Sequence, residues 1–209
     1  MRGGLSISAL NDVVAGSAAR NNLESFVTIL EKWNPAINLV APASLSSVWT
    51  RHVADSAQLF QLCPPTARRW VDIGSGGGFP GIVVAILAAE SRPYLKVTLV
   101  EADQRKAVFL RTVSRETSLD ITVIAERIER VERLNADVVS ARALAPLAQL
   151  CSYADRHLSV GGTALFMKGA RAVEEIDDAR QAWQFKLTAH SSTTDPTAAI
   201  LELQELSHV

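Results

Sequence analysis

The segment Asp72-Ile73-Gly74-Ser75-Gly76-Gly77-Gly78-Phe79-Pro80-Gly81 concentrates more chemistry than any other in this chain. An apolar run, Trp70-Val71-Asp72-Ile73, enters it, and an apolar helical pattern leaves it at Pro80. That is the pattern of a strand, a tight turn and a helix start. Glycine is needed in such a turn because a Cβ would block both the unusual φ angles and the close approach of a ligand. Pro80 suits the first helical turn, where a missing N–H costs nothing. In open α/β sheets the turn lies at the carboxyl end of a strand, where cofactors bind.

Several ligand chemistries compete for this turn. So many glycines argue against a turn with no ligand. A dinucleotide fingerprint asks for a small third residue where the helix packs on the strand, and Phe79 stands there. A P-loop needs Gly-Lys-Ser/Thr after the glycines, and none follows. Gly74, Gly76 and Gly78 preceded by Asp72 fit a nucleoside cofactor without a pyrophosphate. The Asp72 carboxylate would repel a pyrophosphate but suits a sulfonium ligand with an ammonium group, the chemistry of S-adenosylmethionine. Glu101 closes the next apolar run, where a carboxylate accepts both ribose hydroxyls; its ordinary alternative is a solvated strand end. Tyr153 is followed four residues later by His157 rather than lysine, so the dehydrogenase pair is missing.

These residues require a sheet to hold them. Leu23, Phe26, Val27, Leu30 and Trp33 follow i, i+3, i+4, i+7 spacing and predict a helix, which Asn34-Pro35 should end. A second helix is expected over 45–62, with Ser44 as N-cap and Cys63-Pro64-Pro65 as its stop. Beyond residue 68 strands and helices alternate. Strands are expected over 69–73, 96–101, 121–125, 136–141, 162–167 and 199–205, with a weak one around Phe185 to Ala189. Helices are expected over 80–91, 103–117, 145–158 and 171–183, with a short turn near 127–133. The near-continuous apolar strands imply a sheet covered on both faces. The whole reads as a doubly wound α/β sheet with an N-terminal helical cap and a terminal hairpin. The expected division is a cap over 1–67 and a cofactor-binding domain over 68–209, forming one compact unit.

Composition sets outer bounds. An apolar fraction of 48% across 209 residues is ample for a core, and a net charge of -1 advertises no global basic field. Cys63 and Cys151 have neither metal-ligand spacing nor a disulfide framework, so no metal and a reduced cytoplasmic setting are expected. Met1-Arg2-Gly3-Gly4-Leu5-Ser6 shows no secretion signal. The apolar run from Ile82 to Ala89 is too short to span a bilayer, so no membrane partner is expected.

Trp33-Asn34 through Asn38-Leu39, Arg51-His52-Val53-Ala54-Asp55-Ser56, Asp72 to Gly81, Ser140-Ala141-Arg142-Ala143 and Lys168-Gly169 together resemble the RsmG (GidB) family. Its members are bacterial small-subunit ribosomal RNA guanine-N7 methyltransferases. The resemblance covers about residue 23 to the C-terminus. It implies a class I S-adenosylmethionine-dependent methyltransferase, Rossmann-like, that modifies 16S ribosomal RNA or the ribosomal particle and leaves S-adenosylhomocysteine. It implies that Gly74 and Phe79 touch the cofactor, Glu101 its ribose, and Ile128 and Glu129 its adenine, with Arg142 as the family's cofactor-site arginine. Asp72 and Gly76 join this set from the turn itself. Read from the residues alone, Ile128-Glu129 is equally a plain helical turn. Arg142, leaving a buried strand, is either a site residue or half of an ion pair.

The acceptor chemistry follows the same route. No Asn/Asp-Pro-Pro-aromatic clamp for an exocyclic amine follows 136–141, and no cysteine stands there for attack on a pyrimidine. Guanine N7 carries an in-plane lone pair and no proton, so no general base is needed. Catalysis then reduces to alignment, which can supply roughly 7–11 kcal/mol. The product guanine is cationic, so a carboxylate would favour the transition state. Asp55 and His52 are the candidates, with Arg51 beside them. Equally, the three dock the cap, and Arg51 and Asp55 can pair at i, i+4. Lys168 would contact RNA phosphate or guanine O6, or is a surface lysine in a turn. Arg105, Lys106, Arg111, Arg115, Arg127, Arg130 and Arg133, with Arg51, Arg68 and Arg69, would line a basic cleft for RNA phosphates; otherwise these are solvated faces. A monomer is expected.

Overall fold

The computed structural model describes residues 17–209; the reading of Met1 to Ser6 lies outside them. Helix α1 (Ser17–Ile37) buries the expected stripe, Leu23, Phe26, Val27 and Leu30, with Trp33 packed at its edge. The stop expected at Asn34-Pro35 comes early, because the helix continues to Ile37 with Pro35 inside it. A proline in the last turn removes only one helical hydrogen bond. Asn34 then organises the exit: its Oδ1 accepts from the N–H groups of Leu39 and Val40, each at 2.8 Å. Asn38, at φ 49°, donates to the Asn34 carbonyl at 2.9 Å, the left-handed closure that asparagine tolerates.

The second stretch is three pieces rather than one helix. A 3-10 turn (Pro42–Ser47) leads into a π turn (Trp49–Ala54) and then α2 (Asp55–Gln61). Ser44 is therefore not an N-cap; it lies inside the 3-10 turn, and its hydroxyl donates to the Ala41 carbonyl at 2.7 Å. π turns gather at functional sites, and this one carries Arg51 and His52.

The sheet region runs β1 (Arg69–Ile73), α3 (Gly81–Ser91), β2 (Lys96–Val100), α4 (Gln104–Glu116), β3 (Ile121–Ile124), a 3-10 turn (Ile128–Arg130), β4 (Ala136–Arg142), α5 (Leu147–His157), β5 (Leu158–Lys168), α6 (Ala172–Ala179), β6 (Trp183–Ser191) and β7 (Ala199–His208). Strand order is β3-β2-β1-β4-β5-β7-β6. The first five are parallel, and β7 runs antiparallel to both β5 and β6. The order reverses between β1 and β4, which opens a crevice at their carboxyl ends. The strand expected over 162–167 is longer, since β5 starts at Leu158 directly after α5. Pro80 sits at the cap of α3 rather than within its first turn.

Both sheet faces are covered. Helix α3 is buried from Gly81 to Ala88, as a helix apolar on every side must be. α1 covers it, with Phe26 at 5.1 Å from Phe79 and 6.4 Å from Phe109, ring centre to ring centre. Burying a side chain such as Phe26 contributes about 1.5–3 kcal/mol. On the opposite face Leu147, Leu150, Cys151 and Ala154 of α5 pack on Val71, Ile73 and Val139. Burial pushes the Cys151 thiol up to about 12 and also raises Cys63, so both cysteines are inert core residues. Among the described residues no helix is long and apolar enough to cross a membrane.

Candidate active site

The glycine turn is tied to the end of β2, where the Val100 carbonyl accepts from Gly74 N–H at 2.8 Å and Ser75 N–H at 3.2 Å. Gly76, at φ 52°, faces open space: a Cβ there would find only the Gly74 carbonyl, at 3.7 Å. The turn thus presents bare backbone to a ligand. Gly74, at φ 66°, is covered instead, because a Cβ would meet Leu144 Cδ1 at 2.5 Å. Glu101 lies just beyond β2; its Oε2 accepts from Gly76 N–H at 2.7 Å and its Oε1 from Asp103 N–H at 2.8 Å. Each oxygen keeps a second lone pair, so this carboxylate can fix the turn and still accept hydroxyls.

Asp72 lies under the turn, not on it. Its side chain is 0% exposed, with Oδ1 accepting from the Ser140 hydroxyl at 2.7 Å and Oδ2 from Gly81 N–H at 3.3 Å. Ser140 in turn accepts from the Trp70 indole N–H at 2.8 Å. Burial pushes the carboxyl up to about 6, partly opposed by these hydrogen bonds and by the Arg142 charge. The expected attraction between this carboxylate and a cationic ligand is replaced here by an anchor joining β1, β4 and the start of α3.

Ile128 and Glu129 form a 3-10 turn that α5 holds from below. The buried His157 donates from Nε2 to the Ile128 carbonyl at 3.2 Å. Tyr153 donates to Glu129 Oε1 at 2.7 Å, and Arg156 donates to the Val131 carbonyl at 3.0 Å. The Tyr153 hydroxyl is the main reason the Glu129 carboxyl is held below its usual range.

Arg142 ends β4 and points back at the cap. Its Nη1 lies 2.7 Å from His52 Nδ1 and 3.5 Å from the Arg51 carbonyl, with its guanidinium 5.0 Å above the Phe79 ring. The His52 ring also lies 5.0 Å from Phe79, centre to centre. Phe79 itself is 3% exposed, floored by Phe26 and roofed by His52 and Arg142. Burial first, then the charges of Arg142 and Arg51, lower His52 to about 4.

A cavity of about 590 Å³ opens beside Arg142, lined by Asp55, Leu144, Lys168, Glu175 and Ser192 among others, within the roughly 300–1,000 Å³ typical of ligand sites. Leu144, which covers Gly74, is thus the wall between turn and cavity. Asp55 does not pair with Arg51: its Oδ1 accepts from Ser192 at 3.1 Å, Thr194 at 2.7 Å and Gln58 at 3.2 Å, fastening the β6–β7 loop to α2. The Arg51 side chain is exposed. Lys168 is no surface lysine: its side chain is 8% exposed. Its Nζ donates to the Ala145 carbonyl and to Glu175 Oε2, each at 2.7 Å. Glu175 Oε2 also accepts from Leu147 N–H at 2.8 Å.

Much of the expected basic cleft is spent internally. Arg105 pairs with Asp103, Arg115 with Glu116 and Arg127 with Glu129. Arg111 and Arg133 donate to the carbonyls of Val123 and Leu158. Ser44, Ser140, Glu175, Ser192 and Thr194 were not among the expected site residues; Ser44 was read only as a helix cap, and Ser140 lay in the segment Ser140-Ala141-Arg142-Ala143. Among the described residues no group of three or more His, Cys, Asp or Glu could hold a metal ion.

Residues 19–203 match the model of a family described as GidB, rRNA small subunit methyltransferase G. The chain is 48% identical to the ribosomal RNA small subunit methyltransferase G of Cereibacter sphaeroides, over 97% of this chain and 98% of that protein. It is 49% identical to the protein of the same name from Ruegeria pomeroyi, over 90% of this chain and 91% of that one. Among solved structures it resembles M. jannaschii TYW2 in complex with AdoMet, with a TM-score of 0.55 at 13% identity over 76% of each chain. A ribosomal protein L11 methylase from Lactobacillus delbrueckii subsp. bulgaricus gives 0.55 at 17% identity, over 73% of this chain and 76% of that one. At such identities the likeness establishes the fold alone, a Rossmann-like α/β sheet.

Proposed function

The chain belongs to the rRNA small subunit methyltransferase G (GidB) family, and from that premise we propose that it transfers a methyl group from S-adenosylmethionine to N7 of a guanine in 16S ribosomal RNA. The observation that carries this reading is the meeting of two places at Leu144: the glycine turn on one side, the 590 Å³ cavity on the other. The cofactor would rest on the turn and the target base would enter the cavity.

The residues present fit such a cofactor. Gly76 leaves backbone open to it, the spare lone pairs of Glu101 suit ribose hydroxyls, and the Ile128-Glu129 turn suits the adenine edge. When bound, S-adenosylmethionine supplies an electrophilic methyl group on a sulfonium. The protein has then to align the guanine ring, exclude water and favour positive charge on it. Arg142, preorganised on Phe79, orients the groups at the turn, and Asp55 presents carboxylate charge to the cavity where the base becomes cationic. Lys168 acts by shaping the loop after β4. His52 offers no free lone pair, which agrees with an acceptor that needs no base. The division into a cap up to residue 67 and a cofactor-binding part from 68 is consistent with Asp55 and His52 reaching the site from the cap side.

The test is methyl transfer from labelled cofactor to small-subunit particles from a strain lacking the gene, followed by borohydride–aniline cleavage and primer extension. The expected result is incorporation with one new aniline-sensitive guanine. Incorporation without cleavage would move the methyl to another atom. Cofactor binding without incorporation would make the protein a binding module instead.

A further inference from the structure

His52 lies between two partners that dictate its state. Arg142 can only donate, so Nδ1 at 2.7 Å from Nη1 must accept. Nε2 then carries the proton and donates to the Ser44 hydroxyl at 2.8 Å. That hydroxyl in turn donates to the Ala41 carbonyl at 2.7 Å. Four groups from two parts of the fold are thus joined in one directional chain, closed beneath by the Phe79 ring. We propose that Ser44 and His52 are positioning residues for the reaction: a neutral imidazole, its tautomer fixed by Arg142 and its ring anchored by Ser44, holds the Arg142 guanidinium in place at the transfer site.

This rests on the reading of Arg142 as an arginine of that site. Ser44 acts through His52, and His52 through Arg142; neither carries a proton to or from substrate. The charges facing the imidazole, Arg142 from β4 and Arg51 from its own turn, both oppose its protonation, and burial adds to them. The π turn is what permits the contact, since it places His52 over Phe79 while Asp55 starts the next helix.

Three variants of the full-length protein separate the possibilities. Asparagine places its amide oxygen near the former Nδ1 and can still accept from Arg142; glutamine reaches toward the Nε2 position and cannot do both. We expect His52→Gln to lower kcat by on the order of 100-fold, the scale of a misplacement near 1 Å, with little change in KM for particles. His52→Asn should rescue most of that loss, and Ser44→Ala should cost about fivefold, the worth of one hydrogen bond near 1 kcal/mol. Nitrogen NMR of the imidazole gives a readout independent of turnover. Nε2 should be protonated and Nδ1 bare from pH 8 down to pH 5, in the wild type and in Ser44→Ala alike, because Arg142 still donates to Nδ1. Equal losses in His52→Asn and His52→Gln, a proton on Nδ1, or a wild-type kcat limb near pH 6.5 abolished by His52→Gln would overturn the relay. Absence of methyl transfer by the wild type would sink the function proposed above while the NMR result still decides the relay.

Discussion

At the scale of single residues, Asp72 shows how one carboxylate serves a turn it does not touch from the ligand side. Both its partners, the Ser140 hydroxyl and Gly81 N–H, are donors, so an ionised carboxylate satisfies both and an amide cannot. Asp72→Asn therefore sets an NH₂ against one of them. Leaving a buried donor unpaired costs about 1–3 kcal/mol, and urea unfolding should show a loss of that size together with weaker cofactor binding by calorimetry. Weaker binding with unchanged stability would instead return Asp72 to direct contact with the ligand.

At the scale of elements, the loop between β4 and α5 is the part that the rest of the fold works to hold. Ala143 takes a left-handed φ of 52°, which turns the chain so that Leu144 covers Gly74. Lys168 from β5 and Glu175 from α6 then clamp Ala145 and Leu147. Their side chains are 8% and 20% exposed, so removing one partner strands a largely buried charge. Glu175→Ala should destabilise the protein by about 2–4 kcal/mol, slightly under the cost of breaking a fully buried pair. Replacing both partners, as in Lys168→Met with Glu175→Leu, removes the stranded charge and should restore part of that stability, though not activity, because the Ala145 carbonyl and Leu147 N–H lose their partners. A cost below about 0.5 kcal/mol for Glu175→Ala would reduce the clamp to an ordinary surface pair.

At the scale of the whole molecule, the half-buried His52 and the buried Asp72 bend the pH dependence of stability in opposite directions. His52 falls from 6.5 to about 4, so between those values the unfolded chain binds more protons and stability drops as pH falls. Asp72 rises from 3.8 to about 6, so in its window the folded protein binds more protons and stability grows as pH falls. The His52 effect alone disappears in His52→Asn. Between pH 7 and 5 that variant should lose less stability than the wild type, or gain, in chemical denaturation. Parallel profiles for the two proteins would mean that His52 is not held neutral by the fold.

The sequence by itself determined the elements whose signals are local: the stripe of α1, the apolar strands, the glycine turn and Glu101 at the next strand end. It also carried the family, because the Arg-His-x-x-Asp-Ser and Asp-Ile-Gly-Ser-Gly-Gly-Gly-Phe-Pro-Gly segments are specific as linear strings. It did not determine what each polar side chain touches. Lys168 reads as a turn lysine, and only the packing of α6 brings Glu175 to it. Ser44 reads as a cap, and only the π turn swings His52 onto it. Asp55 has Arg51 four residues before it, yet its oxygen goes to Ser192 and Thr194, more than a hundred residues away in sequence. Hydrogen bonds form between neighbours in space, and the closure of the β6–β7 hairpin against the cap decides those neighbours; periodicity cannot.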